Sequence, residues 1–147
     1  MQKGGHNDLD FEELFMVHIE IKEEISLNNL HGDSVVMILF TGSATGKYFT
    51  GEVLPGGIDT QIIEKHGDKH IISARYMLEG KDYTGEDCKI YIENNGYAIK
   101  ESKNVLFRTY PKIITNSKAL NFLNKDLLVG EVVFTDMGLK IKLYRGE

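Results

Sequence analysis

Residues 15–22 read FMVHIEIK. Phe15, Val17, Ile19 and Ile21 alternate with Met16, His18, Glu20 and Lys22, the period of two that gives a strand one apolar and one polar face. The same period returns along the chain. Ile72, Ala74, Tyr76 and Leu78 alternate with Ser73, Arg75 and Met77, and Ile90, Ile92 and Asn94 with Lys89, Tyr91 and Glu93. Near the carboxyl end Leu139, Ile141 and Leu143 alternate with Lys140, Lys142 and Tyr144. Turn signals separate these segments: His31-Gly32-Asp33, Gly42 to Gly46, Pro55-Gly56-Gly57, His66-Gly67-Asp68, Gly85, Asn95-Gly96 and Asp136-Met137-Gly138.

Many short antiparallel strands joined by tight turns define an all-β sandwich or barrel. Closure removes exposed sheet edges, and about 8 to 10 strands suit a barrel that is filled by side chains or holds one small ligand. The expectation is a single antiparallel β-barrel domain over residues 1–147, with residues 1–10 as a flexible N-terminal arm. One helix is expected, Ser117 to Asp126 (SKALNFLNKD), with Ser117 as its cap and Ala119, Leu120, Leu123 and Leu127 at helical spacing. Too short to stand alone, it should cover a barrel mouth or a sheet face.

The 147 residues carry 17 basic and 22 acidic side chains, a net charge of -5, with lysines interleaved among acids. No concentrated basic face is visible, which argues against nucleic acid and against a polybasic membrane anchor. The longest aliphatic run, Val35 to Phe40, is too short to cross a bilayer as a helix, and MQKGGHNDLD has no signal-peptide core. A soluble, cytoplasmic protein is expected. The single cysteine, Cys88, permits no intrachain disulfide, and Glu86 and Asp87 beside it disfavour a thiolate.

Two motifs tempt and fail. GSATGK, Gly42 to Lys47, has three residues between its glycines and Tyr48 after the lysine, whereas a phosphate loop needs four and then Ser or Thr at a helix start. His66 and His70 flank a Gly67-Asp68 turn signal, so they are expected at a hairpin tip and not as zinc ligands. No metal or cofactor is expected. Asn94 continues the inward face of Ile90 and Ile92; it either ties down the Asn95-Gly96 turn or bonds a ligand. Tyr76 lies on an apolar face with a hydroxyl that needs a partner. Arg75 and Arg108 are expected outward, the faces around Arg108 being ambiguous.

Taken in order, GEVLPGGID (Gly51 to Asp59), SARYML (Ser73 to Leu78), IYIENNG (Ile90 to Gly96), FRTYPKIIT (Phe107 to Thr115) and FLN (Phe122 to Asn124) resemble successive blocks of domain-of-unknown-function family 3237, also called uncharacterised protein family 0311. The resemblance runs from Phe15 to the carboxyl end and implies a lipocalin-like (calycin-like) barrel with no settled activity. It also implies that Asp59 and the triplet Ala74-Arg75-Tyr76 stand at positions where members commonly carry the same residues. The chain departs from the family in lacking a Trp after Asp59 and in its longer, acidic loop from Lys81 to Asp87.

Three functions are therefore in view. The first is a barrel that binds a small, largely apolar molecule, with Asp59, Arg75, Tyr76, Asn94 and Arg108 as ligand-binding candidates. The second is a cofactor-independent lyase or isomerase with Asp59 as acid and base. The third is a structural or assembly module, self-associating through the sheet face that carries Lys140, Lys142 and Tyr144. Asp59 itself is open between an Asx-turn acceptor and a pocket carboxylate.

Overall fold

The computed structural model describes residues 11–100 and 104–146. The expected N-terminal arm, residues 1–10, lies outside the described residues. The alternation seen in the sequence becomes nine strands: β1 (Phe11–Leu27), β2 (Ser34–Thr45), β3 (Phe49–Val53), β4 (Ile58–Ile63), β5 (His70–Asp82), β6 (Asp87–Ala98), β7 (Val105–Thr115), β8 (Leu128–Thr135) and β9 (Gly138–Gly146). From β5 to β9 each strand pairs antiparallel with the next, and β9 pairs with β1. β1 pairs with β2, and β2 reaches β5 through β3 and β4. The sheet thus closes on itself as an antiparallel β-barrel.

β3 and β4 share one track between β2 and β5. Val53 pairs with Leu78 and Ile58 with Arg75, so Leu54, Pro55, Gly56 and Gly57 stand opposite only Tyr76 and Met77. The surplus chain buckles outward as a corner. Gly56 turns it at φ 108°, a region that side-chain-bearing residues avoid. Both flanks pin the corner: Leu54 N–H donates to Met77 O at 2.8 Å, and Phe40 N–H to Gly57 O at 3.1 Å.

Inward positions are apolar because the strand period sends every second side chain to the axis. At one end Leu14, Phe15, Phe49, Leu78, Ile90 and Leu143 fill the barrel, with the Phe15 and Phe49 rings 5.5 Å apart. Burying each such side chain contributes about 1.5–3 kcal/mol. Over this end lies a single 3₁₀ turn, Asn121–Asn124, which drops Leu123 and the preceding Leu120 into the core. Ser117 Oγ accepts the Leu120 N–H at 3.0 Å, and Phe122 meets Tyr48 edge-on and lies under the Arg145 guanidinium.

Two local expectations are corrected. The helix from Ser117 to Asp126 contracts to that one turn: Asn124 spends its Oδ1 on the Thr115 N–H at 2.9 Å instead of facing solvent on a helix, and Asn is a weak helix former in so short a segment. Asn95-Gly96 is not a turn. β6 runs through both residues, with Asn95 paired to Tyr110 and Gly96 to Thr109. Gly96 is needed there because a Cβ would lie 2.0 Å from Arg108 O on the neighbouring strand.

Candidate functional site

The other end of the barrel is less full. Ile19, Ile21, Ile38, Phe107 and Leu139 wall an apolar cavity of about 170 Å³, and only Asp59 and Gln61 among its lining side chains are polar. Both sit on β4 just past the Pro-Gly-Gly corner. Because Asp59 and Gln61 are two apart on a strand, they share the inward face.

Asp59 Oδ2 accepts the Gln61 amide N–H at 2.9 Å, and Gln61 Oε1 meets Nε2 of His70 at 2.7 Å. A neutral His70 with its proton on Nε2 completes this string, and burial with the charge of Lys100 lowers its pKa towards that neutral state. The His70 ring stands edge-on to Phe107, 5.0 Å between centroids. The opposite carboxylate atom, Asp59 Oδ1, is buried and has no hydrogen-bond partner among the described residues. Desolvation raises the Asp59 pKa, and the Gln61 bond only partly offsets it.

Three more polar side chains face the axis without partners among the described residues: the Tyr76 hydroxyl, the Asn94 amide and Thr109 Oγ1. Tyr76 is 3% exposed, Asn94 and Thr109 0%. Register explains their grouping. Ala74 pairs with Asp59 on one side and Asn94 on the other, and Tyr76 is the next inward residue along β5. Of these four residues Ala74 and Asp59 line the cavity wall. Thr109 and Asn94 in turn crowd Gly130, where a Cβ would lie 2.3 Å from Thr109 Oγ1 and 3.3 Å from Asn94 Oδ1. Burial, helped by the Asp59 charge, pushes the Tyr76 phenol far up, so it stays a neutral donor.

Of the residues singled out in the sequence, Asp59, Tyr76 and Asn94 are thus brought together, and the two arginines are not. Arg75 is exposed on the outer face, and Arg108 points outward to Glu131 at 3.4 Å. Neither lines the cavity. Gln61, His70 and Thr109 belong to the site without having been singled out for it. For Gln61 the signal was present, two residues from Asp59 on the same face. Among the described residues no three His, Cys, Asp or Glu side chains gather as a metal site. Cys88 is buried at the filled end, where desolvation and then the charges of Asp82 and Asp87 raise its pKa.

Fold and site together define a closed antiparallel β-barrel, filled at one end and holding an apolar cavity with one carboxylate in its wall at the other. The chain belongs to the family described as protein of unknown function (DUF3237), whose model matches residues 9–146. It is similar to a UPF0311 protein of Clostridium acetobutylicum, 31% identical over 138 residues, which span 83% of this chain and 84% of that protein. A crystal structure of a protein with unknown function from the same species superposes with a TM-score of 0.79 at 30% identity, over 95% of this chain and 100% of the other. A β-barrel-like protein from Acinetobacter baumannii AYE gives a TM-score of 0.72 at 19% identity, covering 99% and 100% of the two chains. An enzyme from Penicillium herquei gives 0.72 at 15%, with coverage of 99% and 100%, and at these identities the likeness is one of fold alone.

Proposed function

We propose that the barrel binds a small, largely apolar molecule in its less filled end, oriented by Asp59. One observation carries this reading: a cavity of about 170 Å³ with apolar walls holds a single buried, unpartnered carboxylate oxygen. Apolar lining with a few convergent polar groups is the usual composition of a ligand pocket, and a closed barrel with one roomier end fits the lipocalin-like reading. Thermal denaturation against a library of small apolar metabolites tests it. Binders should raise the melting temperature of the wild type and leave Ile38→Trp, which fills the cavity, unshifted. A library without a single binder, or binders indifferent to the tryptophan, would refute it.

A second reading, proton transfer by Asp59 on the bound molecule, has its own support. Desolvation moves the carboxyl towards the range where it gives and takes protons, and Gln61 and His70 hold its second oxygen. The enzyme from Penicillium herquei shows that a barrel of this shape occurs in a catalyst. Proton exchange at the acidic C–H positions of bound ketones, followed by NMR in deuterated water, separates the readings: catalysis requires exchange that Asp59→Asn abolishes, and simple binding gives none.

A further inference from the structure

The chemistry around Ala74 specifies what kind of molecule the proposed cavity would hold, and this step rests on the reading of the cavity as a binding site. Ala74 lines the cavity wall, with Asp59 across one strand pairing, Asn94 across the other and Tyr76 next along the same face. Asp59 Oδ1 is buried with a free lone pair, because Gln61 occupies Oδ2. The Tyr76 hydroxyl, two residues along β5 from Ala74 on the same inward face, is buried with its proton unused among the described residues. An acceptor on the cavity wall and an unused donor one inward step along β5 therefore flank Ala74.

Each kind of ligand group satisfies this pair differently. A carbonyl accepts from Tyr76 and leaves the Asp59 oxygen unpaired. An ammonium donates to Asp59 and leaves Tyr76 unpaired. A carboxylate meets Asp59 as a like charge, and no cationic side chain lines the cavity to hold it. A hydroxyl accepts from Tyr76 and donates to Asp59, so both are satisfied. Size narrows the class further, since an apolar cavity of about 150 Å³ accommodates one benzene ring and this one is close to that, at about 170 Å³. We propose that the cavity takes a neutral molecule of roughly one six-membered ring bearing a hydroxyl, seated over Ala74 between Asp59 and Tyr76, with the Asn94 amide at its flank.

Cyclohexanol, cyclohexanone and toluene are matched probes, and ligand-observed NMR titration gives their affinities. Cyclohexanol is expected to bind wild type about tenfold more tightly than either of the others, since hydroxyl-specific sites penalise analogues that leave a buried group unpaired. Tyr76→Phe should reduce that preference to about threefold or less by removing the donor, and Asp59→Asn should weaken it; thermal melts confirm that both variants are folded. Equal affinity for all three probes overturns the hydroxyl assignment and leaves the cavity as a binding site. Failure of all three to bind overturns both readings. A preference that survives unchanged in both variants overturns the placement between Asp59 and Tyr76.

Discussion

Asp59 shows how far one side chain is set by its surroundings. Burial raises its pKa above the unfolded value, so the fold holds that proton more tightly than the open chain does. The stability linked to it is complete below the unfolded pKa, about 3.9, and is lost as pH rises through the folded value. Asp59→Asn keeps an acceptor for Gln61 and removes the charge. The variant should melt above wild type at pH 7, with the gap closing as pH falls towards about 3; a wild type that melts higher at pH 7 would contradict the burial account. Tyr76→Phe removes a buried hydroxyl that has no partner among the described residues. Its stability should stay within about 1 kcal/mol of wild type in urea titrations, because a lost hydroxyl without a bond forfeits little.

Strands and turns carry the next level. At Gly96 β6 and β7 leave no room for a side chain, and a methyl there meets the Arg108 carbonyl. Gly96→Ala should cost about 1–3 kcal/mol by forcing the two strands apart, read as a lower denaturation midpoint with an unchanged slope. At the filled end Asp82 joins the β5–β6 hairpin to the 3₁₀ turn. Its Oδ1 accepts from Thr84 N–H and hydroxyl and from Glu86 N–H, and its Oδ2 from Ser117 Oγ at 2.8 Å. The side-chain bonds from Thr84 and Ser117 lower its pKa. Here the sign is opposite to that of Asp59: stability is present above the unfolded pKa and lost as pH falls through the folded one. Acid titration of Asp82→Asn should therefore show a shallower loss of stability between about pH 5 and 2 than wild type, and an identical slope would refute the assignment.

Over the whole molecule the two ends of the barrel differ in how well they are held. The filled end has Phe15, Phe49, Leu120 and Leu123 nearly inaccessible, whereas β1 beyond Glu20 is exposed at every position to Leu27. Local opening follows the density of buried apolar contact. Hydrogen exchange should release amides of Glu24 to Leu27 and their β2 partners well before those of Leu78 and Ile90, by about a hundredfold or more where global unfolding limits the latter. Uniform protection around the barrel would mean that the cavity end is as rigid as the filled one.

By itself the sequence determined the period of two, hence an all-β chain, and it placed Tyr76 and Asn94 on inward faces. It also marked Pro55-Gly56-Gly57 as a break before Asp59. These are local consequences of which side chains alternate along a strand. What only the tertiary structure decided depends on neighbours far away in the chain. Asn95-Gly96 carries a turn signature, yet it is strand because β5 and β7 pair with it on both sides. The helical spacing after Ser117 yields a single turn because its side chains are committed to strand ends and to the barrel mouth. Asp59 becomes a cavity carboxylate, tied through Gln61 to His70 and set opposite Ala74, through the register of β4 on β5. Alternation says which face a residue takes; closure and register say what it meets there.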